Sequence, residues 1–165
     1  MVVLVTGMSG TGKSAALAEF ARRGHQVVDT DEGGYAEEVP SSGAGGREQV
    51  WREDRIRALV DRCDEGVVFV SGCTSNQGTF ASRFDAVVLL AAPATVILER
   101  VARRATSEFG KSEAERDRIL DDLANVEPLL RAGATAEIDT RAPLDQVVDA
   151  LESIADAVRR RGETA

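Results

Sequence analysis

Gly7, Gly10, Gly12, Lys13 and Ser14 fall in the spacing G-x-x-x-x-G-K-S within the stretch GMSGTGKS. That spacing describes a cradle for a di- or triphosphate. Glycines without a Cβ let consecutive backbone N–H groups turn inward around anionic oxygens, and a helix that starts there adds partial positive charge. Lys13 supplies a mobile full charge, and Ser14 a hydroxyl of the kind that ligates Mg²⁺. With Ser9, Thr11 and Ala15 in the same turn, these residues are expected to bind a nucleoside triphosphate and Mg. The plainer reading is a Gly-rich turn from strand to helix with a surface lysine.

Two further sets of residues have types suited to the same chemistry. Asp29-Thr30-Asp31 places two carboxylates two positions apart. One carboxylate beside a metal stays ionised while a second takes a proton; the alternative is an acidic loop capping a strand end. Arg100, Arg103 and Arg104 offer guanidinium forks that suit a phosphoryl group whose charge spreads over three equatorial oxygens. They also read as a solvated basic helix end.

The elements that must position these groups follow from periodicity. Val2 to Thr6 is a β-branched run without alternation, as expected of a strand buried on both faces of a parallel sheet. A helix is expected from Lys13 to about Arg23, closed by Gly24. Short strands are expected at Gln26–Asp29, Val67–Val70, Ala86–Leu90 and Ala136–Asp139. Thr30 to Gly46 is rich in Gly, Ser and acidic residues and reads as a mobile loop. From Arg47 to about Asp64, Ile56, Leu59, Val60 and Cys63 recur at helical spacing. Pro93 and Pro143 each suit the first turn of a helix. Arg103 to Arg118 is almost wholly polar and reads as a lid with Gly110 as its hinge, before a helical period resumes and Pro128 interrupts it. Strands alternating with helices imply right-handed crossovers and a three-layer α/β domain.

Composition narrows the function. At 165 residues and a net charge of −8, the chain is expected to be one domain, 1–165, without the broad basic field of a nucleic-acid or anionic-membrane binder. Cys63 and Cys73 match no disulfide framework or metal spacing and read as packing residues in a reducing cytoplasm, and the apolar run at Val2–Val5 is too short for a signal-peptide core. No N-K-x-D base-reading motif of a GTPase is present. The third predicted strand ends Val70-Ser71-Gly72-Cys73, without the paired acids that ring-forming ATPases carry. Ser75-Asn76-Gln77-Gly78 follows that strand as a polar turn, where ligands gather in open α/β sheets, so Asn76 or Gln77 is a candidate for hydrogen bonds to an acceptor. His25, the sole histidine, stands at the entry to a strand and reads as structural or surface rather than catalytic.

On GMSGTGKS, the Asp29-Thr30-Asp31 triplet, Ser71-Gly72 and the arginine cluster before a polar lid, the sequence resembles the small P-loop kinases, the group of shikimate kinase, gluconate kinase and the nucleoside monophosphate kinases. The resemblance covers nearly the whole chain and implies a P-loop NTPase fold with a five-stranded parallel sheet in the order 2-3-1-4-5. It implies that Asp29 lies near Mg²⁺, that Asp31 faces the acceptor, and that Arg141 and Pro143 lie beside adenine. Gly72 and Arg83 are implied on the acceptor side, Arg83 toward an acceptor phosphate. Trp51-Arg52-Glu53-Asp54-Arg55 only partly matches the F-R-x-x-E pattern of shikimate kinases, and Gly72-Cys73-Thr74 breaks their triple-glycine turn. Arg52 or Arg55 remains a candidate for an anionic group on the acceptor, with Trp51 as a pocket wall, or the segment is an amphipathic helix with its charged face in water.

The expected activity is ATP- and Mg-dependent transfer of a γ-phosphoryl group to a small-molecule hydroxyl or phosphate. The acceptor side is expected at about 30–64 and the lid at about 104–118; Lys13, Asp31, Arg100 and Arg104 are the expected catalytic residues. No nucleic acid or membrane is expected as a partner, and the protein is expected as a monomer or homodimer. The alternative is an ATP-binding regulatory or partner protein that transfers nothing. Phosphorylation of nucleic-acid 5′ ends suits the fold but not the charge.

Overall fold

β1 (Val2–Thr6) is buried at every position and lies at the centre of the sheet, which is why its sequence shows no alternation. A computed structural model describes residues 1–41, 46–62, 66–104 and 109–164. After β1 come α1 (Lys13–Arg22), β2 (Gln26–Asp29), β3 (Ala36–Pro40), β4 (Arg47–Trp51), α2 (Glu53–Asp61), β5 (Val68–Ser71), a 3₁₀ segment (Gln77–Arg83), β6 (Ala86–Ala91), α3 (Ala94–Arg103), α4 (Glu113–Asn125), α5 (Glu127–Gly133), β7 (Ala136–Asp139) and α6 (Leu144–Glu163).

The main sheet has five strands in the order β2-β5-β1-β6-β7, all parallel. With β3 and β4 set aside, this is the expected order 2-3-1-4-5. Val3 of β1 pairs with Phe69 on one side and Ala86 on the other. Odd and even positions of the strands then feed opposite layers. Val3, Val5, Phe69, Val88 and Leu90 pack with Ala16 and Phe20 of α1 and Val147, Val148 and Leu151 of α6. Val2, Leu4, Val68, Val70 and Val87 pack with Trp51, Ile56, Phe80 and Phe84. His25 is structural as expected: its Nε2 lies 2.8 Å from Glu152 and its ring meets the edges of Phe20 and Phe69.

Two elements differ from the sequence expectation. Thr30–Gly46 is not one loop, and Arg47 does not begin a helix: β3 and β4 form an antiparallel hairpin, with Ala36 opposite Trp51 and Glu38 opposite Gln49. Neither strand alternates apolar with polar residues, so no period-2 signal marks them; the ladder, the Arg47–Glu38 ion pair at 2.9 Å and the anchoring of Trp51 hold them instead. Helix α2 consequently starts at Glu53. The second half of the expected lid is also helical, because Ser112 and Glu115 form a capping box that starts α4 at Glu113, a device that stabilises a helix start without any apolar residue. Gly110, expected as a hinge, is buried at φ +91°, and a Cβ there would strike Val101; it is a packed contact between the lid segment and α3. The lid residues 105–108 and Cys63 lie outside the described residues. No helix among the described residues is long and apolar enough to cross a membrane.

Candidate active site

The turn between β1 and α1 sits at the C-terminal edge of the sheet, where parallel strands and a helix N-terminus converge. Gly7 approaches the Leu90 carbonyl of β6 so closely that a Cβ would lie 2.4 Å from it, and Gly10, at φ +87°, would place a Cβ 2.8 Å from Val101. Both contacts press the turn onto β6 and α3 and leave its backbone facing a cleft. Thr11 is buried and its Oγ1 donates to the Met8 carbonyl at 2.8 Å, so its side chain braces the loop rather than facing the cleft. Lys13 Nζ donates to the carbonyls of Gly7 at 2.5 Å and Met8 at 3.2 Å. Burial pushes the Lys13 ammonium below its ordinary pKa, while Cys73, Asp31 and Asp29 pull it back up.

The cleft in front of this turn has a volume of about 470 Å³ and is lined by Gly7, Met8, Ser9, Gly10, Gly12, Lys13, Ser14 and Ala15 together with Asp31, Gln49, Cys73, Arg100, Val101 and Arg104. Asp31 reaches it from the end of β2, across β5. Partial burial and the neighbouring Asp29 push its carboxyl above the ordinary range, with Lys13 opposing. Asp29 bends back to accept the Asp31 N–H at 3.1 Å; its carboxylate lies within electrostatic reach of Lys13. Among the described residues no cluster of three His, Cys, Asp or Glu side chains that could hold a metal ion occurs; the Ser14 hydroxyl and the Asp31 carboxylate both line the cleft.

The three arginines separate. Arg100 Nη1 donates to Thr140 Oγ1 at 2.9 Å and approaches the Gly10 carbonyl at 3.5 Å, and its Nη2 donates to the Thr140 carbonyl at 2.5 Å. It ties the phosphate turn to the loop after β7. Arg103 turns away to pair with Glu99 at 2.6 Å. Arg104 lines the cleft, and its Nε is buried without a hydrogen-bond partner.

The structure separates the residues that the sequence grouped as expected acceptor contacts. Asn76 Oδ1 accepts the Trp51 N–H at 2.8 Å and its Nδ2 donates to the Trp51 carbonyl at 2.9 Å, so its amide is spent on the hairpin. Trp51 is 2% exposed, packed against Phe80 and Phe84, with Nε1 donating to Thr30 at 2.9 Å; it is a core residue. A Cβ at Gly72 would lie 2.1 Å from Thr30 Oγ1 and 2.7 Å from the Trp51 ring, which accounts for that glycine by packing. Arg52 and Arg83 line a different groove with Glu37, Asn76 and Phe80, sharing no residue with the phosphate cleft, and Arg55 faces a third one with Gln26, Tyr35 and Arg62. Beyond Arg100, a recess of about 240 Å³ is lined by Thr11, Ala15, Thr140, Ala142, Leu144 and Val147. Arg141 instead forms a forked pair with Asp139 at 2.5 to 3.1 Å, and Pro143 caps α6; the alternate residues of that loop face the recess.

Gln49 and Cys73 line the cleft without having been marked by the sequence. Gln49 lies in the hairpin, which carried no signal. Cys73 follows the end of β5 beside β1, a position identifiable once the strand order is known; burial pushes its thiol pKa up.

A parallel sheet whose central strand runs into a glycine-braced turn, a lysine and a helix, with a cleft over the strand ends, has the P-loop NTPase architecture. The chain belongs to the AAA domain family, whose model matches residues 3–121. No curated protein sequence matches it. Among solved structures, shikimate kinase from Acinetobacter baumannii in complex with shikimate is similar at 17% identity and TM-score 0.61, over 97% of this chain and 93% of that one. A gluconokinase from Sinorhizobium meliloti 1021 is similar at 19% identity and TM-score 0.62, over 99% and 97%. Deoxyadenosine kinase from M. mycoides with bound dATP matches at 10% identity and TM-score 0.56, over 94% and 100%. The fold is that of the small P-loop kinases.

Proposed function

We propose that this chain is an ATP- and Mg²⁺-dependent phosphotransferase that moves a γ-phosphoryl group to a hydroxyl or phosphate of a small molecule. The observation that carries the reading is one cleft shared by Lys13, the unpartnered Nε of Arg104 and the carboxylate of Asp31. A protein that only sensed ATP would use the two cations; a carboxylate with raised proton affinity over the cradle suits an acceptor whose proton must be taken.

In this reading Lys13 leaves the Gly7 and Met8 carbonyls for phosphate oxygens. Arg104 donates to the transferring group, stabilising charge on its equatorial oxygens. Asp31 orients the acceptor hydroxyl and takes its proton. Arg100 keeps the phosphate turn and the Thr140 loop in fixed relation, with Ala142 and Leu144 offering an apolar recess for the base. Ser14, with Asp29 through water, would hold Mg²⁺, an all-oxygen donor set that suits this hard cation, which when bound neutralises phosphate charge.

The test is incubation with Mg-ATP across a broad set of sugars, nucleosides, acids and nucleoside monophosphates, following ADP and the phosphorylated product. Acceptor-dependent ADP formation is expected for one chemical class. Tight ATP binding with no acceptor raising ADP above basal hydrolysis would favour the regulatory protein.

A further inference from the structure

We infer that the acceptor is a hydroxyl compound carrying no anionic group, recognised by Gln49 of the β3–β4 hairpin together with Asp31. This rests on the phosphotransfer reading above. The cations in the phosphate cleft are Lys13, Arg100 and Arg104, and all three are committed to the nucleotide side. Lys13 belongs to the phosphate turn, Arg100 is spent on Thr140 and Gly10, and Arg104 adjoins Arg100 and Val101 on that flank.

What remains on the acceptor side is a carboxylate, an amide and a thiol: Asp31, Gln49 and Cys73. The arginines nearest in sequence are directed elsewhere. Arg52 and Arg83 share a groove that has no residue in common with the cleft. Arg55 faces the groove beside β2, and Arg47 pairs with Glu38 across the hairpin. Residues 42–45 and 105–108, which lie outside the described ones, read SGAG and ATSE and bring no lysine or arginine. α4 packs through Ile119 onto Ile97 and Val101 of α3, and neither Lys111 nor its Arg116 and Arg118 line the cleft.

An acceptor carboxylate or phosphate placed here would therefore meet Asp31, with Asp29 and Glu32 close enough to act on that carboxyl, and among the described residues no cation beyond those three lines the cleft to offset the repulsion. An amide both donates and accepts, and a carboxylate accepts, so the pair matches hydroxyls, which do both. Burial keeps the Cys73 thiol neutral. Gln49 reaches the cleft because Trp51, two residues on, is clamped by Asn76 and Thr30, while the Gln49 carbonyl accepts the Ser75 N–H at 3.2 Å. Its side chain is exposed and free to be replaced without unfolding the strand.

The experiment compares initial rates with Mg-ATP for neutral polyols and nucleosides, amine-bearing polyols, and their carboxylate or phosphomonoester analogues. An uncharged or amine-bearing acceptor should exceed its anionic analogue in kcat/KM by about tenfold or more. Gln49→Leu should raise KM for that acceptor about tenfold, the worth of one good hydrogen bond, with Mg-ADP affinity changed by less than about twofold. Gln49→Arg should shift preference toward the anionic analogue. Wild-type preference for acids or phosphomonoesters, or an acceptor KM indifferent to Gln49→Leu, would overturn the inference and leave phosphotransfer standing. Transfer to no acceptor while Mg-ATP binds would overturn phosphotransfer itself, and the inference with it.

Discussion

Within the glycine turn the residues hold one another: Thr11 braces Met8 three positions away, and Lys13 rests on Gly7 and Met8. On the acceptor side the corresponding bonds span long stretches of chain, with Trp51 joined to Thr30 across 21 positions and to Asn76 across 25. Phosphate geometry is the same for every nucleoside triphosphate, so one local turn can serve it. In the phosphotransfer reading the acceptor wall is a hairpin held at its root by Trp51, and its lining can change without disturbing the turn. The two sides therefore answer differently to mutation, and that difference is open to measurement.

The largest effect is expected from Lys13→Ala. Removing the one mobile full charge of the cradle should lower transfer by roughly 10³-fold or more, while leaving the thermal midpoint of the free protein near wild type, because Lys13 braces only two loop carbonyls. Wild-type turnover in this variant would dismiss the nucleotide side as assigned. Arg104→Ala comes next, with kcat expected to fall about 10²-fold at little change in acceptor KM. Arg100→Ala should instead weaken nucleotide affinity, since it removes the tie between Gly10 and Thr140. If both arginine variants lost kcat alike, the distinction between Arg104, whose Nε has no partner, and Arg100, whose guanidinium is spent on Gly10 and Thr140, would fail.

The acceptor side should respond in stability before it responds in chemistry. Gly72→Ala forces a Cβ against Thr30 and the Trp51 ring and should cost roughly 1–3 kcal/mol by overpacking, seen as a lower denaturant midpoint with Mg-ADP affinity retained. A neutral outcome would mean that the Trp51 anchor yields easily and the hairpin is not fixed by it.

What could be read from the sequence divides along the same line. GMSGTGKS was legible because its physics is contained in eight consecutive residues, and the parallel three-layer sheet followed from buried strands alternating with helices, while its strand order came from the resemblance to the small P-loop kinases. The hairpin was not legible: Ala36-Glu37-Glu38-Val39-Pro40 and Arg47-Glu48-Gln49-Val50-Trp51 lack the β-branched alternation that marks strands, and their stability comes from Trp51 meeting Asn76, a contact no local pattern encodes. Asn76 illustrates the limit well. Its position at a strand end fits a ligand-binding amide, and only the three-dimensional pairing reveals that both ends of that amide are already used. The arginine cluster was legible as a cluster but not by member, because α3 turns Arg103 outward while Arg100 and Arg104 face the cleft. The capping box at Ser112 and Glu115 was present in the sequence and would have corrected the lid boundary.

The smallest expected effect tests whether the two sides meet at Asp31. Burial and the charge of Asp29 raise its carboxyl pKa above the ordinary 3.8, against the pull of Lys13. If Asp31 takes the acceptor proton, activity needs the carboxylate and should fall as pH drops through the raised value, approaching tenfold per unit on that limb. Folding stability should move the opposite way. The folded protein binds this proton more readily than the unfolded chain, so acidification through the folded pKa toward the unfolded one relieves a destabilising term, which is fully present above the folded pKa. Other carboxylates titrate in the same range, so the informative quantity is the difference between wild type and Asp31→Asn, measured on the free protein by denaturant midpoint and on turnover by rate. Asp31→Asn should flatten both curves, losing the acid limb of activity together with the gain in stability. A variant that lost activity while its stability difference stayed flat across pH would leave Asp31 as an orienting hydrogen-bond partner and assign the proton to another acceptor.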